Sequence, residues 1–232
     1  MKVRLKVFRY NPDDGRKGYD TFEVDYEEGM TFLTVFHRIK ENHDPSLTFR
    51  HFCRAGICGT CTVFINGFPK LACKEQVLPY VLTGEEIVVE PMEKFPLIKD
   101  LAVDQGDVVD RMKSFHTWID NYKDDVRIPP EVSKRIEKAA DCILCCACQS
   151  YCPQVLEEDY AGPLFFAKLY RFLEDPRDGN REFRLKEALV DGHLYHCLSC
   201  DKCNSSCPKE VEPATLIREL MTYIKEHGKA KC

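Results

Sequence analysis

Three groups of cysteines stand in this chain at spacings that suit thiolate ligands. The first is Cys53-x4-Cys58-x2-Cys61, followed by Cys73. The second is Cys142-x2-Cys145-x2-Cys148-x3-Cys152, with Pro153 next. The third repeats it as Cys197-x2-Cys200-x2-Cys203-x3-Cys207, with Pro208 next. Of the 14 cysteines, Cys146 and Cys232 alone fit no slot. The first spacing is that of plant-type [2Fe–2S] sites, and the other two are that of bacterial [4Fe–4S] sites. Soft thiolates match these irons. Short Cys-x2-Cys turns also aim backbone N–H groups at the sulfides, which together with burial sets the potential. A chain with both kinds of site has the parts of a path for single electrons.

In the bacterial pattern the fourth cysteine of each run ligates the other cluster. Cys142, Cys145, Cys148 and Cys207 are therefore expected to hold one [4Fe–4S] cluster. Cys152, Cys197, Cys200 and Cys203 are expected to hold the other, and Cys53, Cys58, Cys61 and Cys73 the [2Fe–2S] cluster. Gly56 and Gly59 lie inside the first loop, where backbone must come close to a cluster and adopt positive φ. Arg50, Arg54, Lys70 and Lys74 flank that loop; taken singly, each reads as a solvated charge. His51 and His196 lie next to ligands, but each site already has four thiolates, so an outer role suits them better.

Two other uses of cysteine fit less well. Disulfide frameworks belong to short exported chains, and the opening Met1-Lys2-Val3-Arg4-Leu5-Lys6 has no apolar core of an export signal. Structural zinc takes four ligands in two pairs, which leaves unexplained a Cys-x2-Cys-x2-Cys run and a fourth cysteine before proline, present twice. Net charge is −5 with a pI near 5.8, so no nucleic-acid partner is indicated. No apolar stretch approaches the ~20 residues of a membrane span. Reduced thiols point to a cytoplasmic or matrix-like setting, with any membrane anchor supplied by another chain.

Those ligands need a scaffold, and two domains are expected, 1–97 and 98–232. The first reads as α+β. Val3 to Tyr10 alternates with period two, Asn11-Pro12-Asp13-Asp14-Gly15 is turn chemistry, and Thr21 to Tyr26 completes a hairpin. Thr31 is placed to cap a helix to about Asn42, with Phe32, Val35, Phe36 and Ile39 on one face. Thr62–Ile65 and Phe68–Leu71 flank an Asn66-Gly67 hairpin turn, and Glu86 to Glu90 is a last strand. Pro91 and Pro96 mark the crossing into a helical region. Val108, Met112, Phe115 and Ile119 recur at helical spacing, and Asn121 to Pro130 is a polar loop. Further helices are expected through Val132, Ile136 and Ala139, over Leu164 to Leu173, over Glu182 to Val190, and from Pro213 through Ile224. Trp118 is given no role.

Over nearly its whole length the chain resembles the iron–sulfur subunits of succinate dehydrogenase and fumarate reductase. The resemblance rests on the order of the cluster motifs and on Arg54-Ala55-Gly56-Ile57-Cys58-Gly59 and Asp100-Leu101-Ala102-Val103-Asp104. It rests also on Gly162-Pro163, Tyr170-Arg171-Phe172-Leu173 and Asp175-Pro176-Arg177-Asp178. It implies an α+β protein: an N-terminal β-grasp, plant-type ferredoxin-like domain, then an all-α, bacterial-ferredoxin-like domain. It implies a partner flavoprotein that carries FAD and the dicarboxylate site. Electrons would run between that FAD, a [2Fe–2S], a [4Fe–4S] and a third cluster, and a quinone or other carrier. The subunit would sit on the inner face of the cell membrane through its partners.

Two departures from the family pattern matter. Respiratory members have another residue where this chain has Cys200, and their third cluster is [3Fe–4S]. Here the ligand set is complete and the third cluster is expected to be [4Fe–4S], the alternative being a [3Fe–4S] cluster beside an unligated Cys200. Quinone-reducing members also usually carry a tryptophan and a histidine where this chain has Glu157 and Leu198. It looks more like the class that docks to a cysteine-rich, heterodisulfide-reductase-like partner than to a haem-bearing membrane anchor. Some thiol-linked fumarate reductases fuse a cysteine-rich domain at the C-terminus; after Cys207 the expectation here is a separate chain. A free multi-cluster ferredoxin and a subunit of another flavoenzyme are the competing functions. The motifs outside the ligand loops speak against the first.

Overall fold

The computed structural model describes residues 1–155 and 159–227. The chain packs as two units: Met1–Gln105 with Ile143–Ser150, and Gly106–Cys142 with the chain from Tyr151 on. Glu157 and Cys232 lie outside the described residues.

In the first unit, alternation becomes a half-buried sheet. β1 (Lys2–Tyr10) turns Val3, Leu5 and Val7 inward, each at most 1% exposed. It pairs antiparallel with β2 (Lys17–Asp25) from Lys2 opposite Asp25 to Tyr10 opposite Lys17. β2 begins before Thr21, the expected start, because this pairing runs the full length of β1. Next comes α1 (Phe32–Asn42), whose first turn is capped by Thr31: its hydroxyl accepts from the Thr34 N–H at 3.3 Å. Phe32, Val35, Phe36 and Ile39 are buried on its inner face, as the spacing predicts. β3 (Thr62–Ile65) and β4 (Phe68–Leu71) form the second hairpin. Its turn needs positive φ twice, and Asn66 and Gly67 supply 47° and 75°. The short α2 (Leu78–Thr83), which carries no amphipathic signal, precedes β5 (Ile87–Glu90). The sheet order is β2-β1-β5-β3-β4, with β1 and β5 parallel. This is the expected small sheet on one helix.

After Pro96 a two-stranded ribbon, β6 (Leu97–Lys99) and β7 (Ala102–Val103), stays with this unit. The reason is Asp100. Its side chain is 2% exposed and accepts from the Tyr10 N–H and Arg9 Nε, each at 3.1 Å, and from the Thr48 N–H at 2.9 Å. A buried carboxylate so satisfied pins the ribbon to β1 and to the Thr48 segment that leads to the first cysteine.

The second unit is helical. It contains α3 (Gly106–Ser114), α4 (Pro130–Ala140) and, after α5 (Ala147–Tyr151), α6 (Pro163–Glu174). Then come α7 (Arg181–Lys186), α8 (Lys202–Ser205) and α9 (Pro213–His227). Pro163 opens α6 at a position where its missing N–H costs nothing, after Gly162 at φ 102°. α6 packs against α4 and α9 and buries Phe165, Phe166 and Leu169 completely.

The helix expected to run through Ile119 stops at Ser114. The carbonyls of Phe115, His116 and Trp118 turn inward instead and accept from Arg184. Arg184 is 1% exposed and also donates to Asp178 Oδ2 at 2.8 Å. A buried guanidinium needs such partners, and they explain why Asp178 stands in its motif. Asp175 beside it accepts from the backbone, Nε and Nη2 of Arg177. The helix expected over Glu182–Val190 is α only to Lys186. Glu187–Asp191 widens into a π turn, and a Cβ on Gly192 would come within 2.9 Å of the Glu187 carbonyl.

Candidate iron–sulfur sites

Thirteen cysteines are described, and none of these forms a disulfide. In the first unit the loop after Phe52 wraps around Cys53. Its Sγ accepts from the N–H groups of Ala55 (3.4 Å), Ile57 (3.3 Å) and Cys58 (3.3 Å). These three bonds, with the Cys58 thiol, hold the Cys53 thiol down at about 6. Positive φ at Arg54 (55°), Gly56 (69°) and Gly59 (71°) is what turns the amides inward. Cys61 and Cys73 sit at the two ends of the β3–β4 hairpin with their thiols in contact, and burial pushes Cys61 up to about 12. Cys58 acts on Cys61 as well, so the four thiols form one linked group. The flanking cations behave as ordinary charges: Lys70 pairs with Glu75 at 3.3 Å, and Arg50 donates to the Val103 carbonyl at 3.1 Å. His51 packs against the His37 ring at 4.6 Å.

The two glycines differ. A Cβ on Gly56 would meet the flexible stem of Lys74 at 2.7 Å. A Cβ on Gly59 would lie 2.7 Å from Cβ and 2.8 Å from Cα of Cys145. The [2Fe–2S] loop thus rests directly on the backbone of the second cysteine run. Cys145 and Cys148 are each 8% exposed, and Cys145 belongs to the core of this unit.

In the second unit Cys152, Cys197, Cys200 and Cys203 come together. Burial first, and then the neighbouring Cys152, Cys197 and Cys200, raise the Cys203 thiol to about 12. Cys142 and Cys207 face one another in the same sense, and burial pushes Cys207 up. Such thiols lose their protons when a metal binds.

The backbone repeats between the two runs. Leu144 and Cys146, on either side of Cys145, have φ of 57° and 60°. Ser199 and Asp201, on either side of Cys200, have 51° and 58°. A short helical turn follows each: Ser150 N–H bonds to Cys146 O at 2.9 Å, and Ser205 N–H to Asp201 O at 3.2 Å. Non-glycine residues in this region cost about 1–2 kcal/mol each, and here the cost recurs at matching positions. In backbone terms Cys200 therefore occupies the slot that Cys145 occupies in the Cys142–Cys152 run. Their surroundings differ, for Cys200 is exposed.

Four-thiol groups, an N–H cradle and a glycine with no room for a side chain fit iron–sulfur clusters. Among the described residues no three His, Cys, Asp or Glu side chains close on one point as a single ion would require. The structure also adds two residues that the motifs do not contain. Tyr160, 2% exposed, hydrogen-bonds to the Cys197 thiol. Lys168 donates from Nζ to the Cys142 carbonyl at 3.2 Å. Tyr160 gave no sequence signal. Lys168 did, as one of two charges, with Arg171, inside the apolar run Leu164–Leu173.

Comparison with known proteins gives the same two-part picture. Residues 4–110 match the family described as "2Fe-2S iron-sulfur cluster binding domain", and residues 137–211 match "4Fe-4S dicluster domain". Succinate dehydrogenase [ubiquinone] iron-sulfur subunit 3, mitochondrial, of Arabidopsis thaliana is 32% identical, across 95% of this chain and 74% of that protein. A fumarate reductase (CoM/CoB) chain of Methanothermobacter marburgensis is 33% identical across 97% of this chain, which spans 45% of that longer protein. A chain of the Mycobacterium smegmatis Sdh1 complex in the apo form superposes with a TM-score of 0.85 at 25% identity, covering 100% of this chain and 99% of that one.

Proposed function

We propose a function from one premise: this chain belongs to the family of succinate dehydrogenase and fumarate reductase iron–sulfur subunits. It is an electron-transfer subunit with a [2Fe–2S] and a [4Fe–4S] domain, and substrate chemistry takes place on another chain. When bound, such clusters take and release single electrons without bond rearrangement in the protein. In our reading Cys53, Cys58, Cys61 and Cys73 hold the [2Fe–2S] cluster. Cys142, Cys145, Cys148 and Cys207 hold a [4Fe–4S] cluster, and Cys152, Cys197, Cys200 and Cys203 hold a third cluster that is also [4Fe–4S]. The partner is an FAD-bearing flavoprotein.

The observation that carries this reading is the matching backbone around Cys145 and Cys200. It supports Cys200 as a ligand and not a bystander. The test is EPR on air-oxidised and dithionite-reduced protein with iron content measured alongside. Full iron loading with no strong oxidised three-iron signal is the expected result. A strong three-iron signal in fully loaded protein, unchanged by Cys200→Ser, would sink the four-iron assignment.

For the far end of the path we propose a cysteine-rich protein partner in place of a haem-bearing quinone anchor. Leu198, 61% exposed beside Cys197, supports an apolar protein contact where the quinone-reducing pattern has a histidine. Among the described residues no helix is long and apolar enough to cross a membrane, so membrane association would come through partners. Purification of the native complex decides this: a conventional two-chain haem-bearing anchor would overturn it.

A further inference from the structure

Lys168 lies in the middle of α6, between Ala167 (1% exposed) and Leu169 (0%). Lys168 itself is half-buried. It is tied to the carbonyl oxygen of Cys142 at 3.2 Å. Burial, the largest influence, lowers the pKa of its ammonium; the Cys142 side chain works the other way, and Arg171 adds to the lowering. A lysine in such a place has a cost that an apolar side chain would avoid. Of the groups that act on it, Cys142 is the one that favours its charge.

We propose that Lys168 is a potential-setting residue: its ammonium, held at the Cys142 carbonyl, raises the reduction potential of the cluster that Cys142 ligates. This deepens the ligand assignment above and rests on it. Reduction adds one electron and no proton, so the site becomes more negative by one charge. A cation held at the ligand backbone stabilises that added charge more than the oxidised form. At Cys197, in the other set, a neutral hydroxyl, that of Tyr160, reaches the thiol itself. The two ligand sets therefore differ in the group placed against their first Cys-x2-Cys cysteine, a cation at the Cys142 carbonyl and a hydroxyl at the Cys197 thiol.

The experiment is a potentiometric titration of the intact complex followed by EPR, with all clusters monitored. In Lys168→Met the ratio of reduced to oxidised cluster at fixed potential should fall about tenfold for the Cys142-bound cluster, which is 59 mV for one electron. The others should hold their midpoints, and Lys168→Arg, which keeps the charge, should stay within about threefold of the parent, the margin being well under that 59 mV step. A change under threefold in a fully loaded Lys168→Met complex, or an equal shift of every cluster, overturns the proposal. If Lys168→Met fails to load, Lys168→Gln keeps a donor to the Cys142 oxygen without the charge. A lowered midpoint there supports the proposal and a parental one overturns it. Cys142→Ser tests the ligand assignment separately. If that variant leaves both [4Fe–4S] signals intact, the assignment fails. An unchanged Lys168→Met potential alongside an altered Cys142→Ser spectrum rejects Lys168 alone.

Discussion

The runs Cys142–Cys152 and Cys197–Cys207 share spacing, left-handed φ values on either side of the middle cysteine, and a helical turn after it. They differ in what surrounds that middle cysteine. Cys145 is 8% exposed, lies in the core of the α+β unit and has Gly59 against its backbone. Cys200 is exposed, and its neighbour Leu198 is 61% exposed. One backbone device thus serves a buried interior position and a surface position. Under the ligand assignment proposed above, geometry would set which residue ligates, while burial would set how replaceable each ligand is.

The sharpest way to break that comparison is to remove each middle thiol. Cys145→Ser should cost the complex a whole cluster, because a buried site offers no solvent ligand and the change falls in a packed core. Cys200→Ser should cost one iron, leaving a three-iron cluster on Cys152, Cys197 and Cys203. Iron per flavin and EPR of the purified complex measure both. Equal losses in the two variants would mean that exposure does not distinguish the slots.

The glycines of the first loop give the next largest effect. Gly56 and Gly59 have nearly equal φ, 69° and 71°, so alanine is strained at either by roughly 1–2 kcal/mol. Only Gly59 faces backbone, at Cys145 Cα, 2.8 Å from a Cβ. Gly59→Ala should therefore add an overpacking cost of about 1–3 kcal/mol and disturb the [2Fe–2S] and [4Fe–4S] signals together. Gly56→Ala displaces only the Lys74 stem and should leave the [4Fe–4S] signal unchanged. If both variants affect the [2Fe–2S] signal alone, the contact between loop and run has no consequence for cluster binding.

How much of this was legible in the sequence follows from the range of the interactions. Thr31 as a cap, the Asn66-Gly67 turn and the apolar stripe on α1 are local, and all appear where patterning put them. The slots of the cysteines are local too, since spacing alone sets which loop each occupies. Contacts that depend on distant chain were not readable. Asp100 looks like a linker residue until Tyr10 and Thr48 are seen to donate to it. The α3 stop at Ser114 depends on Arg184, some seventy positions later, drawing three carbonyls away from helical pairing. Tyr160 carries no motif, and nothing within reach of it in sequence announces Cys197 as its partner. The exposure of Cys200 against the burial of Cys145 was hidden for the same reason: identical spacing says nothing about what packs over it.

The segments that lead into the two runs also differ, and this gives the smallest effect. α4 brings the chain to Cys142 through Ile136 and Ala139, with Asp141 exposed. The π turn before Cys197 instead buries Glu187, which is 3% exposed and has Oε2 3.9 Å from Arg184 Nη1 with no hydrogen bond. Burial raises its carboxyl to about 7; Arg184 opposes this, and Asp191 and Asp120 reinforce it. A carboxyl near 4.5 when unfolded and near 7 when folded binds more protons in the folded state between those values. Stability must then fall as pH rises from about 4.5 to 7 and level off above. At about 1.4 kcal/mol per pH unit the loss is on the order of 2 kcal/mol once partial solvation is allowed for. Glu187→Gln keeps the shape and removes the titration. Its thermal midpoint, followed by bleaching of cluster absorbance, should exceed the parent's at pH 8, and the gap should narrow as pH falls toward 5. A gap that does not change with pH would show that Glu187 stays ionised in the fold, with Arg184 satisfying it across the 3.9 Å separation.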